Sequence, residues 1–267
     1  MVAAYAGAVD IEKYPIHELD SRRGRDLVSW CRAQLAEDGC CTLGGFLLPA
    51  AIDEMVRISG ELDGKAWVTD RPHNIYFTPP AQDVPPDDPR AHLERSAKHG
   101  IAYDYIPATA PVRRLYESPE LTRFVAAALG KDVLYRSADP LDAFQITRFY
   151  PGEELGWHFD NSEFSVTIMY QMPEAGGEFE YVPALRSDAD SNYAGIEEVL
   201  QGRARASVKL QESAPGTFAL FHGHHALHRV TMVRGSRPRI NSVLTYGDRP
   251  GMKLSPLTSE LFYGRVS

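Results

Sequence analysis

Residues Pro215–Tyr246 read PGTFALFHGHHALHRVTMVRGSRPRINSVLTY: three short runs rich in β-branched and aromatic residues, divided by turn residues. Thr217–Phe221, His228–Val233 and Arg239–Tyr246 each have the length and composition of a strand. Working back from this stretch, Phe144–Phe149, Phe164–Gln171, Gly177–Val182 and Ser207–Leu210 have the same texture, with Pro-Gly and Gly-Gly turns between them. Seven short strands in a row predict an antiparallel sandwich or jelly roll, with Asn192–Leu200 as a helical or irregular insertion.

Further upstream the period changes. Leu27, Val28, Cys31 and Leu35 recur at helical spacing before Gly39, and Ile52, Met55, Val56 and Leu62 do so after Pro49. Both stripes read as helix faces packed on a core. Gly39–Leu48 (GCCTLGGFLL) has the content of a short strand, and Ser118–Leu129 of a helix with Pro119 in its first turn and Gly130 at its end. Residues 79–90 (PPAQDVPPDDPR) are too rich in proline for a helix or an interior strand and read as a surface loop. The predicted fold is mainly β with flanking helices in one domain: a mostly helical part with loops over 1–140, a jelly-roll core over 141–247 and a C-terminal segment over 248–267.

The charge balance, 28 Lys plus Arg against 36 Asp plus Glu for a net −8, excludes a broad basic face and argues against a nucleic-acid partner. Small acidic or zwitterionic substrates stay open. The three cysteines, Cys31, Cys40 and Cys41, lack the spacing of a zinc site or a disulfide framework. Met1–Val9 has no basic leader, and no apolar run reaches the length of a membrane span. The expectation is a cytoplasmic protein with no membrane partner; oligomeric state is not legible.

Gln145–Asn161 (QITRFYPGEELGWHFDN) places His158 and Asp160 two residues apart after a strand and a Pro-Gly turn. In extended chain such side chains leave the same face, so an imidazole and a carboxylate can converge on one metal ion. Alone this pattern arises often by chance. Pro215–Tyr246 adds the support: a strand histidine, then Arg239. Two imidazoles and one carboxylate form the facial triad of non-haem Fe(II) oxygenases, which leaves open positions for co-substrate and oxygen. Zinc more often takes a closed tetrahedral set. His222, His224, His225 and His228 are all candidates for the second imidazole on residue type alone.

Together these residues resemble an Fe(II)/2-oxoglutarate-dependent dioxygenase of the prolyl-hydroxylase-like, double-stranded β-helix type. The matching positions are His158-Phe159-Asp160, Gly176-Gly177-Glu178-Phe179, Pro215-Gly216, Phe221, Gly223, His228-Arg229-Val230, Val233, Gly235 and Arg239. The resemblance implies Fe(II) held by His158, Asp160 and His228, with Arg239 on the distal carboxylate of 2-oxoglutarate and O2 as the other co-substrate. It selects His228 because the pattern has the ligand His before x-Val, with an Arg at the following distance. A planar guanidinium independently suits a carboxylate clamp, whereas Arg234 and Arg237 read as surface ion-pair formers. Gln145 either touches 2-oxoglutarate or is a sheet-edge side chain facing solvent. In iron halogenases that resemble this family, Gly or Ala stands at the carboxylate position, so Asp160 implies hydroxylation.

The stretch Trp157–Pro183, above all EAGGEFEYVP, is similar to enzymes that hydroxylate or halogenate free amino acids. That likeness implies a substrate α-carboxylate on Arg95 and further contacts from Thr245 and Tyr263. Asn161 stands where a lysine-acting relative has a carboxylate for the side-chain ammonium, and Leu155 where a polar group is expected, which disfavours lysine. Asp142 is the candidate replacement for the missing charge. The aromatic segments Trp67–Phe77 and Tyr103–Ile106 read as core or as pocket walls. The rival functions are oxygenation of a protein side chain or another metabolite, and a non-catalytic metal-binding jelly roll.

Overall fold

Ser21 opens the first helix by accepting the Gly24 amide on its side chain, and Gly39, at φ 66°, ends it. The computed structural model describes residues 5, 7–78, 84, 85 and 88–266, so the loop expected over 79–90 lies for the most part outside the described residues. Along the chain run α1 (Arg22–Asp38), β1 (Cys40–Leu43), α2 (Pro49–Glu61), β2 (Trp67–Asn74), β3 (Leu93–Ile101), α3 (Pro111–Glu117), α4 (Pro119–Ala128) and β4 (Tyr135–Arg136). Then follow β5 (Phe144–Phe149), β6 (Leu155–His158), β7 (Ser165–Gln171), β8 (Phe179–Val182), α5 (Tyr193–Leu200), β9 (Lys209–Leu210), β10 (Phe218–Phe221), β11 (Leu227–Val230), β12 (Arg239–Leu244), β13 (Tyr246–Gly247) and α6 (Pro256–Tyr263).

The strands pair in the order β1-β10-β7-β12-β5-β3-β6-β11-β8-β9, with β2 on the outer edge of β3 and β13-β4 as a separate pair. Late strands interleave with early ones: β12 lies between β5 and β7, and β11 between β6 and β8. This is a jelly roll, as the turn-punctuated sequence predicts. β3 carries the sheet from one layer to the other, since it pairs with β5 through His99–Ile101 and with β6 at Ser96.

Strand alternation decides what each face does. Phe144 and Ile146, Val166 and Ile168, Phe218 and Leu220, and Ile240 and Leu244 all enter the main apolar core with Cys31, Leu35, Met55, Ile58 and Phe124 from the helices. Each such side chain contributes roughly 1.5–3 kcal/mol by leaving water. The residues between them, Gln145, Thr147, Arg239 and Asn241, are buried yet polar. They point into the roll, and they are what the fold positions.

Two parts of the sequence reading need correction. The first 140 residues hold the expected helices, but also the long hairpin β2-β3. β2 is largely exposed and contains Pro72, and β3 (LERSAKHGI) has no apolar alternation, so neither shows a half-buried strand pattern. The segment Ser207–Leu210 is a strand only at Lys209–Leu210, after a short 3-10 turn at Arg205–Ser207. Among the described residues no helix is long and apolar enough to cross a membrane.

Candidate metal centre and active site

β6 and β11 pair so that His158 faces His228 directly. The Nδ1 of His158 lies 2.8 Å from the Gly156 carbonyl oxygen and that of His228 2.9 Å from the Ala226 carbonyl oxygen. A carbonyl only accepts, so each Nδ1 donates and each ring turns its Nε2, the atom that a metal would meet, toward Asp160. Those two Nε2 atoms lie 3.8 and 3.4 Å from Oδ1 of Asp160, and ligand atoms of the three residues fall within 4.8 Å of one another. Asp160 is fixed by its amide, which donates to the Gly223 carbonyl at 3.0 Å. A Cβ at Gly223 would stand 2.0 Å from Asp160 Oδ2, so the residue behind the carboxylate has to be glycine.

Burial, then the neighbouring His228, pushes His158 well below the usual imidazole range, so it is neutral. Burial alone would raise Asp160, but His228, His158 and Lys98 outweigh it and hold the carboxyl at about 2. A neutral His158, the His228 imidazole and an ionised carboxylate, all buried or partly buried, are the donor types of an open divalent-metal site.

Arg239 opens β12 on the same interior and is 4% exposed. Its Nε donates to the Gly177 carbonyl at 3.0 Å and its Nη1 to Asn241 Oδ1. The acceptor at Gly177 is set by a tight turn in which Gly176 and Gly177 take φ values of 67° and 68°, the left-handed region that glycine enters without strain. Among the described residues no carboxylate pairs with this guanidinium. Burial alone pulls its pKa down to about 10. Arg234 and Arg237 are exposed, as expected, but form no ion pair among the described residues.

Gln145 is buried, which removes the solvent-facing alternative. Its amide donates to the Tyr263 hydroxyl at 2.6 Å, its Oε1 accepts from Thr147 at 3.1 Å, and Tyr263 in turn donates to Asp142 at 2.6 Å. Thr245 also bonds Asp142. Four of the sequence candidates therefore meet in one cluster. Burial pushes Asp142 up to about 6, with the Tyr263 and Thr245 hydrogen bonds opposing that rise. This cluster is at the far end of the strands from Arg239: Arg239 faces Phe149, Asn241 faces Thr147, and Val243 faces Gln145.

Two candidates are not brought in. Arg95 lies on the other face of β3, its guanidinium on the Gly152 carbonyl at 3.0 Å and near Asp70 at 3.5 Å. Asn161 is exposed on the loop after Asp160. Leu155 packs with Phe149, Val230 and Val233 rather than lining the centre. His224 and His225 stay outside the triad: His224 Nδ1 donates to the Asp160 carbonyl at 3.1 Å, and His225 meets Asp188 at 3.0 Å.

Several residues of the site carry no motif. Thr147 and Asn241 escape notice, although polar i, i+2 pairs (Gln145-Thr147, Arg239-Asn241) inside apolar strands are a readable signal. Lys98, on β3, interacts electrostatically with both Asp142 and Asp160. From the β2 side, Phe77 packs edge-on to His158 at 5.0 Å and stacks on His73 at 4.3 Å. His73 Nε2 meets Ser96 Oγ at 2.5 Å.

With this geometry in view, residues 96–261, well over half of the chain, match the family described as Halogenase D. The chain belongs to the Halogenase D family. Its fold is shared with a 2OG-Fe(II) oxygenase family protein from Burkholderia pseudomallei, at 20% identity over 84% of this chain and 92% of that one (TM-score 0.52). It is shared too with the carbocyclase SnoK from nogalamycin biosynthesis, described as non-haem and alpha-ketoglutarate-dependent, at 14% identity over 86% and 89% (TM-score 0.59). The epimerase SnoN, solved with Fe3+, alpha-ketoglutarate and nogalamycin RO, aligns at 14% identity over 87% and 93% (TM-score 0.57). No curated protein matches the chain in sequence. The Halogenase D chain is thus built on the fold of the 2-oxoglutarate, Fe(II)-dependent oxygenases, and its His-Asp-His set fits the metal of that class.

Proposed function

We propose that this Halogenase D family member is an Fe(II)/2-oxoglutarate-dependent hydroxylase of a free L-amino acid. The observation that carries the reading is an Asp160 held ionised beside His158 and His228, together with a buried Arg239 that has no anionic partner among the described residues. An enclosed guanidinium is costly unless an anion meets it, and a planar dicarboxylate end suits its two-pronged donors. His158, Asp160 and His228 would hold the iron, and Arg239 the distal carboxylate of 2-oxoglutarate. When bound, the iron and its two co-substrates supply an oxidant for an unactivated C–H bond, with succinate and CO2 as by-products.

The chain's own groups do the rest. Gly156 and Ala226 carbonyls fix the imidazole tautomers, and Gly223 and His224 hold Asp160 in place. Phe179 and Phe221 pack against His228 with ring centroids 5.4 and 4.9 Å away, which keeps water from that side. Asp160 favours hydroxylation over halogenation, since a chloride ligand would have to displace a charged side chain. The cluster of Asp142, Tyr263, Gln145 and Thr245 supports a polar, amine-bearing substrate rather than a hydrocarbon. Three buried cysteines without a disulfide suit a reducing cytoplasm.

The test is a panel of free L-amino acids (lysine, ornithine, arginine, histidine, leucine) with Fe(II), 2-oxoglutarate and oxygen, read as succinate formed and as a mass gain of one oxygen. The reading predicts both for at least one member. Succinate without oxygenation of any member would reject the amino-acid substrate, and no succinate at all would reject the enzyme class.

A further inference from the structure

β3 sends alternate side chains to opposite faces. Ser96, Lys98 and Gly100 share the face turned to the interior. Ser96 Oγ accepts the Gly156 amide at 3.1 Å, next to the His158 support. At the other end, a Cβ on Gly100 would lie 3.4 Å from the Gln145 Nε2. Lys98 therefore stands between the metal centre and the Asp142–Tyr263–Gln145 cluster. Its ammonium lies 5.4 Å from the centre of the Phe262 ring.

Electrostatics agree with that placement, because the charge of Lys98 is felt at both Asp142 and Asp160. Yet Lys98 forms no hydrogen bond or ion pair among the described residues, and Asp142 is met by hydroxyls rather than by a cation. An ammonium and a carboxylate thus face one interior, each within the other's field but without a direct ion pair between them among the described residues. An enclosed charge of either sign is costly when unpaired. A ligand carrying one carboxylate and one ammonium resolves both at once.

We propose that Lys98 binds the carboxylate of the substrate and is the residue that selects a zwitterion, with Asp142 receiving the ammonium. This rests on the amino-acid reading above. Arg95, on the opposite face of β3, has no part in it.

The experiment uses protein loaded with Fe(II) and 2-oxoglutarate under anaerobic conditions. Calorimetry compares the panel amino acid that is oxygenated with its carboxamide, which has nearly the same shape but no negative charge. The wild type should bind the carboxamide roughly 10- to 100-fold more weakly, the size expected for loss of a charge-assisted hydrogen bond. Lys98→Gln should lose that discrimination and raise the amino-acid KM by a similar factor while the 2-oxoglutarate KM stays put. Lys98→Arg should recover part of it, and Arg95→Gln should behave as wild type. Equal binding of acid and carboxamide by the wild type, a rise in the 2-oxoglutarate KM instead, or a loss at Arg95→Gln overturns the proposal. The wild-type comparison decides the matter even if a variant fails to fold. Silence across the whole panel sinks the amino-acid reading and this proposal together, whereas turnover with an unchanged Lys98→Gln sinks only this one.

Discussion

His158 and His228 face each other across β6 and β11 with ring centroids 4.1 Å apart, and each ring is locked by a carbonyl two residues earlier in its own chain segment. The two proposed imidazole ligands are thus a property of one strand pairing, and Asp160 joins them because Gly223 leaves room behind it. A single methyl group should break this. Gly223→Ala is expected to push Asp160 aside and to weaken Fe(II) or Co(II) binding by roughly 10- to 100-fold, the usual cost of losing support for a ligand. A metal titration of the folded variant checks it; unaltered affinity would show that Asp160 is not held as described.

Arg239→Gln would remove the two-pronged carboxylate contact proposed for Arg239. The 2-oxoglutarate KM should rise about 10- to 100-fold, with the KM of the amino acid little changed. Asn241→Ala, which removes only the acceptor that steers the guanidinium, should raise it less. Steady-state kinetics with each co-substrate varied separately tells the two effects apart.

The pH dependence follows from Asp142. Its pKa is raised to about 6 by burial, against an ordinary value of 3.8, and the groups facing it are Asp139, Tyr263, Thr245 and Lys98. Receiving an ammonium requires the ionised form. As pH falls through about 6 the carboxylate is protonated, so kcat/KM for the amino acid should fall about tenfold per pH unit below that point. Asp142→Asn should lower kcat/KM and abolish that limb. For folding the sign is opposite: a raised acid pKa stabilises the native state fully below 3.8, and that contribution is lost as pH rises through about 6.

Phe218 is fully buried, with its ring 4.8 Å from Phe46 and 6.0 Å from Phe124. Because it ties β10 to the helical layer, Phe218→Ala should cost about 3–5 kcal/mol of stability. Denaturant unfolding measures this, and a loss under 1 kcal/mol would mean the helices do not depend on that contact.

The legible part of the molecule was the part where periodicity and side-chain chemistry agree. β5 and β12 read as strands on their apolar residues, and Gln145 and Arg239 stand out on them, while their partners Thr147 and Asn241 carry no motif. His158, Asp160, His228 and Arg239 stand out because few other chemistries use that set of residue types. The hairpin β2-β3 did not show, since β2 is largely exposed and β3 buries only Ala97 and Ile101 of its apolar residues, taking its place by pairing with β5 and β6. Lys98 was hidden for the same reason: without the register of β3, nothing tells which of Arg95 and Lys98 points inward. Asp142 lies three residues from Gln145 and Thr245 is brought to it by the pairing of β12 with β5, whereas Tyr263 reaches the cluster only through the packing of α6.

The central claim is that three side chains and one guanidinium serve a single iron and its dicarboxylate. Anaerobic addition of Fe(II) to protein with 2-oxoglutarate, followed through the visible metal-to-ligand charge-transfer band, tests it most directly. The account predicts a band that saturates stoichiometrically with the wild-type chain, disappears in His228→Ala, and needs far more 2-oxoglutarate in Arg239→Gln. A band of unchanged strength in His228→Ala, or none in the wild type, would contradict it.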